Sequence, residues 1–483
     1  MRLTFAAYVT ANVGLIAAVT VSVLTLVAAV TPALAAARTL RVNRGDDLQA
    51  AIDRARGGDT IEVKAGATFE GPFTLPARAR RGWITIRSSA LGALPRGRRV
   101  RARDARRMPR LLTPGRGLPV VMTAPRAKGW RLAGLELAVV DPEATVYDLL
   151  RLGEGGSAQS SLADVPRRIV LDRSLVHGTR SGGLQRCVSL NSAATIIRHS
   201  RLTECHDRGY DTHAIGGWNG PGPFLIEDNL LEGAGENVMF GGADPAIPGL
   251  VPSDIVIRHN LIRKPVGWRG RWTVKNLLEL KSARRVSIED NVLENNWADA
   301  QNGAAILFTV RNQDGGAPWS TVRGVRFTGN LVRRVGRGMN LLGHDDGHPS
   351  GPTADVLIED NLFKQVGFRD WGDGAWMVST DVARLRVGHN TVLNEGTLLL
   401  AYGAPHRDFR MLRNITRAGP YGIKGDGRAT GLDTLRAYFP GSVVRGNVFA
   451  GADRTAYPRA NHFPRSLRGL GRWRRKGLGA RRP

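Results

Sequence analysis

Residues Val286 to Asn296 read VSIEDNVLENN. Two aliphatic residues alternate, a short polar pair leads to Asn291, two more apolar residues follow, and a turn closes the phrase. It returns as FLIEDNLLEGAG from Phe224, IVIRHNLIRKP from Ile255, VRFTGNLVRRVG from Val325, VLIEDNLFKQVG from Val356, LRVGHNTVLNEG from Leu385 and SVVRGNVFAG from Ser442. Aligned on the polar residue, the series is Ser174, Ser200, Asn229, Asn260, Asn291, Asn330, Asn361, Asn390, Asn414 and Asn447, at intervals of 24 to 39 residues. Apolar alternation with period two is a strand pattern, and self-similarity at this period marks stacked supersecondary units. In VLIEDN, Val356 and Ile358 are expected to point inward onto Val286 and Ile288 of the repeat before. The recurrent Asn sits at the turn leaving the strand, where it tolerates left-handed backbone angles and can join an amide ladder from coil to coil. The series is therefore architecture and not a catalytic set.

The 483 residues accordingly read as one long stacked core. Gly is abundant at 59 and aromatics are 6%, which suits many short strands joined by turns. The formal charge is +27, and only eight of the 69 basic residues are Lys. That excess is either a coding bias towards arginine or a cationic surface that attracts polyanions. Cys187 and Cys205 are too few for a disulfide scaffold; one bridge and two buried thiols are both open.

Residues 1–35 have the pattern of a signal peptide: Arg2, an apolar run from Val13 to Val30, and Ala33-Leu34-Ala35 as a small-residue cleavage site. Left uncleaved, the same run is long enough for an anchor. Either way the bulk of the chain is expected outside the cytoplasm, secreted or periplasmic, with no nucleic acid as partner. Residues 36–453 form the repeat domain. Leu48, Ala51, Ile52 and Ala55 fall at helical spacing behind Asp46 or Asp47, so a short amphipathic helix covers the first end of the array. Thr60 to Val63 and Phe73 to Leu75 read as strands. Residues 91–129 are a basic, Pro- and Gly-punctuated excursion, read as a long loop with a short strand or two, either a solvated surface loop or one wall of a groove. Residues 454–483 carry ten Arg or Lys and no acid, and are expected to be a partly ordered cap with a disordered basic end.

The entry segment, with its AAI helix, GGDTIEV and KAGATFEGPFTL, resembles that of secreted right-handed parallel β-helix proteins of the pectate-lyase-like superfamily, which includes the alginate lyase and chondroitinase B family. The likeness runs over about residues 40–450 and is specific for fold. It implies an all-β, single-stranded right-handed parallel β-helix of about ten or more coils, a monomer, acting on an acidic polysaccharide.

A second strand row follows the turns: CVSLNS, YDTHAIGGW, NVMFGGA, KNLLELKS, AAILFTVRN, GMNLLGHDD, WMVST and TLLLAYG. It is apolar except in its middle coils. Parity turns Leu278 and Leu280 inward and places Lys275, Glu279 and Lys281 outward; Ile306, Phe308 and Val310 turn inward and Arg311 outward. Cleavage of a uronic-acid polymer by β-elimination needs a cation to neutralise the carboxylate and a base to take the neighbouring ring proton. Lys275 or Lys281 as base, Arg311 as carboxylate partner and Glu279 as orienter or metal ligand meet that need. In the family a Lys and an Arg on the sheet face take such roles. Asp211, His213, Glu236, His344 and Trp218 are candidate substrate contacts, with Trp268, Trp272 and Trp297 as further platforms for a sugar ring. Asp345 and Asp346, in HDDGH, are candidate metal ligands, Ca²⁺ being one source of the neutralising cation. Hydrolysis through Asp211, Glu236, Asp345 or Asp346 is the alternative chemistry. Epimerisation, or glycan binding without turnover, could use the same groove.

Overall fold

A computed structural model of the protein describes residues 37–77, 82–144 and 146–481, so the signal peptide expected over 1–35 lies outside the described residues. The chain winds through three parallel sheets of 14, 13 and 12 strands, one strand of each per coil. In the central coil Ala283–Glu289 belongs to the first sheet, Val292–Asn296 to the second and Ala304–Thr309 to the third. This is the parallel β-helix that the repeats imply.

Inward aliphatics stack in register. Val286 pairs with Val325 and Val325 with Val356, while Ile288, Phe327 and Ile358 form the neighbouring file. Val356 and Ile358 thus lie on Val325 and Phe327, and Val286 and Ile288 are one coil further away than the repeat comparison expected. All six are at most 2% exposed.

The ladder is present and longer than the sequence comparison found. The backbone N–H of Asn260 donates to Asn291 Oδ1 at 2.9 Å, and its amide donates to the same oxygen at 3.0 Å. The Asn291 amide in turn donates to Ile257 O and to Asn330 Oδ1. The pattern starts at Leu135, whose N–H donates to Ser174 Oγ at 3.2 Å, passes from the Ser174 N–H to Ser200 Oγ, and ends at Asn461, which accepts from Asn447 N at 2.9 Å. One part of the expectation is corrected. The left-handed residue is the one before each ladder position: Asp228, His259, Asp290, Asp360, His389 and Arg413 have φ between 49° and 57°, and Gly329 and Gly446 take this place in two coils. Asp, His and Gly bear that backbone better than most residues. The Asn is selected for its two-donor, one-acceptor side chain.

The first end is capped as expected. Leu48–Arg54 is a helix, Asp47 Oδ1 accepts from Ala50 N at 2.9 Å, and Leu48, Ala51 and Ile52 are buried. Cys187 and Cys205 form a disulfide, closing the alternative left open above. The basic excursion contains two short strands: Arg110–Leu112 joins the second sheet and Val121–Thr123 the third. It crosses the ladder turns, with Arg99 paired to Asp228 at 2.8 Å and donating to His259 O. The tail, expected to end in disorder, packs on the second sheet through residue 481. Trp473 and Leu478 bury against Ile415 and Val448, and Gly479 N donates to Arg413 O at 2.8 Å. Its few apolar residues suffice because a sheet face stands ready to receive them.

Asn291→Ala would leave the Asn260 N–H without its side-chain acceptor and take one bond each from the Asn260 amide, which keeps Ile226 O and Arg258 O, and from the Ile257 carbonyl. At about 1–3 kcal/mol for an orphaned buried N–H, a loss of about 2 kcal/mol in urea unfolding is expected, and a loss below about 0.5 kcal/mol would refute the ladder as a stabilising element. Burial also pushes His406, bonded to Ser379 Oγ, down to about 4 from 6.5. Between those values the unfolded chain binds a proton that the folded chain refuses, so stability should fall as pH drops through this window. His406→Asn should flatten that part of the stability curve.

Candidate functional site

The third sheet carries the polar residues that break the apolar row. Its register aligns Arg186, His213, Glu236 and Asn276 at the start of successive strands, and Gly216, Met239, Glu279 and Leu307 in their middle. Lys281 follows the strand Asn276–Leu280, and the Arg311 N–H donates to the Lys281 carbonyl at 2.9 Å. Lys281 and Arg311 are therefore neighbours on consecutive coils. Leu278, Leu280, Ile306, Phe308 and Val310 face the core as parity required.

Two linked groups result. At the strand starts, Lys275 pairs with Asp211 and lies 3.8 Å from Glu236, whose other oxygen is 3.1 Å from His213 Nε2. Towards the strand ends, Lys281 Nζ is 3.3 Å from Glu279 Oε1, while the Asn276 amide donates to Glu279 Oε2 at 2.9 Å. Although both carboxylates project from the outer side of the sheet, neighbouring side chains cover them, and each is 1% exposed. Burial, reinforced by Glu236, pushes the Glu279 carboxyl up. Burial acts the same way on Glu236, but His213, Lys275 and Lys264 outweigh it and hold Glu236 below its ordinary value. Lys275 is raised: desolvation is overcome by Glu236, Asp211 and Glu279.

Gly241 and Gly242 at the end of the Glu236 strand have φ near 90°. A Cβ on Gly241 would lie 2.5 Å from Ser282 N and 2.9 Å from Lys281 Cβ. This close approach accounts for Gly241, which lets the coil bearing Lys281 pack tightly.

Other candidates fall elsewhere. Asp345 pairs with Arg311 at 2.6 Å and accepts from Asn312 N, and Asp346 also turns to Arg311. His344, next in the chain, bonds instead to Asp381 at 2.7 Å. Trp218 is half-buried and donates to Gly155 O at 2.9 Å, so its indole fastens two loops. Trp268, Trp272 and Trp297 are corrected from sugar platforms to core. They are 9% exposed or less and form a satellite cluster with Trp371, because indoles on loops between coils bury readily against one another.

The sequence reading passed over Lys264. Its Nζ is fully buried and within 3.0 Å of five oxygens: the carbonyls of Gly233, Ala234, Gly235 and Asn276, and Asn237 Oδ1. Burial pushes its pKa down to about 7, with Glu236 pulling it back. The surrounding acceptors favour the ammonium, since a neutral amine would turn a lone pair on to them. Lys264 thereby fixes the bend that presents Glu236. In sequence it was one more basic residue after a turn, and its inward direction left no mark.

No protein-family model matches this sequence, and no curated protein sequence matches it. Solved structures do share its fold. The alginate lyase AlyGC, of polysaccharide lyase family 6, aligns with a TM-score of 0.50 and 13% identity, covering 87% of this chain and 53% of that one. The chain thus spans about half the length of AlyGC. A mannuronic acid specific family 6 lyase from human gut microbiota gives a TM-score of 0.51 and 11% identity over 92% of this chain and 96% of its own. At such identity the likeness is one of fold: the chain is a right-handed parallel β-helix.

Lys264→Met should lower stability by about 3 kcal/mol or more, as several carbonyls lose their donor. Lys264→Arg should not restore it, because the cage is closed around a single nitrogen. Chemical denaturation of the two variants checks both outcomes, and wild-type stability in either would contradict the role given to the ammonium.

Proposed function

We propose that this protein is an exported polysaccharide lyase that cleaves a uronic-acid polymer by β-elimination. The observation that carries the reading is the placement of Lys281 and Arg311 side by side on consecutive coils, above the buried Glu279. The disulfide accords with an oxidising compartment outside the cytoplasm. The family 6 lyases with the same fold point to the same substrate class.

In this mechanism Arg311 binds the uronate carboxylate, whose negative charge otherwise opposes loss of the adjacent ring proton. Lys281 is placed to take that proton; the electron pair forms the ring double bond, and the glycosidic oxygen leaves with a proton returned by Lys281 or supplied by water. Lys275 is the poorer base, since Asp211 and Glu236 hold its proton on. It adds positive charge at the strand starts of the same face. Asp345 and Asp346 hold the Arg311 guanidinium in place until substrate competes for it.

Ca²⁺ enters no step. The carboxylates it would need are already paired with Arg311, Lys275 or Lys281, and among the described residues no group of three or more His, Cys, Asp or Glu side chains gathers as a metal site. Activity should therefore persist in EDTA. A second reading, hydrolysis, draws on the opposite displacement of Glu236 and Glu279, which would give one ionised and one protonated carboxyl. Both, however, lie along one sheet face beneath other side chains and do not flank a groove.

Lys281→Ala and Arg311→Ala should each lower kcat/KM on the preferred uronate polymer by about a hundredfold or more, within the range of general base and charge-stabilising groups. Lys275→Ala should cost less. Full activity of Lys281→Ala would remove the proposed base.

A further inference from the structure

The outer face of the first sheet holds a cavity of about 760 Å³ over its last coils. Arg386, Arg410, Arg413 and Arg445 line it, with Glu359 as its single acidic residue and Leu357 and Leu412 among its apolar floor. We propose that this cavity is a second binding site, an exosite for an acidic polysaccharide chain, separate from the third-sheet site. Only the identity of the polymer rests on the lyase reading.

The argument begins from the charge pattern of this face. One outward file runs Asp172, Arg198, Glu227, Arg258, Glu289, Thr328, Glu359, Gly388, Leu412, Arg445. In its earlier coils each arginine meets a carboxylate on the coil before: Arg198 to Asp172 at 3.2 Å, Arg258 to Glu227 at 2.7 Å. At the cavity that compensation stops. Gly388 and Leu412 replace the charged residues, and the adjoining file contributes Arg386 beside Arg410. Arg410 reaches Asp408 at 3.2 Å, whereas Arg386, Arg413 and Arg445 enter no ion pair among the described residues. Four guanidinium groups thus surround one concave space with one carboxylate.

Guanidinium groups suit carboxylate and sulfate, which they bind through paired N–H donors. Arg386, Arg410 and Arg445 occupy three consecutive coils, about 4.8 Å apart. A pyranose advances a polysaccharide by a similar distance, so successive acidic sugars can meet successive coils. The aliphatic floor offers contact to the C–H faces of the rings. The one ring among the lining residues, His389, is 7% exposed and bonded to Arg481, whereas single-stranded nucleic acids depend on exposed aromatic platforms for stacking their bases. A polysaccharide is therefore the polyanion that fits.

The test measures binding of full-length protein to alginate and polygalacturonate in a Lys281→Ala background, so that no turnover intervenes. Replacing Arg386, Arg410 and Arg445 together by Ala should weaken polymer binding at least tenfold and reduce its salt dependence. Glu359→Gln, which removes the one opposing charge, should tighten it and serves if the triple variant folds poorly. With Lys281 intact, the arginine variant should turn over short oligosaccharides as wild type does and show a raised KM on polymer alone. Unchanged polymer binding in both variants would overturn the exosite. Equal competition by an oligonucleotide of matched charge would overturn its assignment to polysaccharide. If wild type forms no unsaturated product but the arginine substitutions still weaken binding, the lyase reading fails and the exosite stands.

Discussion

A buried file of side-chain amides fixes where each coil lies relative to the next. Every ladder Asn accepts a backbone N–H from the previous coil and donates back to that coil's strand, so a coil cannot slip without orphaning several polar groups. Because the Asn sits in the turn between a first-sheet strand and a second-sheet strand, it sets the register of both. The third sheet inherits that register even though ladder intervals vary from 24 to 39 residues. Loops bordering the third sheet absorb the difference. Its outward side chains can therefore vary in chemistry on a frame that does not move.

The charges are arranged by the same stacking. On the first sheet, acid and base alternate between coils and neutralise each other across a fixed strand spacing. On the third sheet the charges lie deeper and act on one another more strongly. Glu236 and Glu279, on adjacent strands, cannot share the ionised state equally, so one is held down by His213 and two lysines while the other is driven up. Burial of like charges on a rigid face is costly to stability, which is the reason such a cluster reads as functional.

Much of the fold was legible because it rests on local repetition. The aliphatic pairs, the Asn and the capping helix each recur or stand where a period predicts them. Parity alone then placed Glu279, Lys281 and Arg311 on the outer face. What escaped depended on direction in space. Lys264 looked like any basic residue after a turn, yet points inward to a carbonyl cage; Trp268, Trp272 and Trp297 looked available to a sugar, yet bury one another. Asn461, only 14 residues after Asn447, continues the ladder without the flanking phrase that revealed the others. The aligned Asn suggested a left-handed turn residue, and the true one is its predecessor, an Asp, His or Gly in most coils.

The most direct test of the proposed chemistry is to follow absorbance from unsaturated ends and the appearance of new reducing ends together while the wild-type protein acts on alginate, polygalacturonate or chondroitin sulfate. β-Elimination by Lys281 and Arg311 predicts that on at least one polymer both signals rise in equal proportion. New reducing ends without unsaturation would contradict the lyase mechanism and assign the site to hydrolysis, and the absence of both on all three polymers would contradict cleavage of a uronate chain.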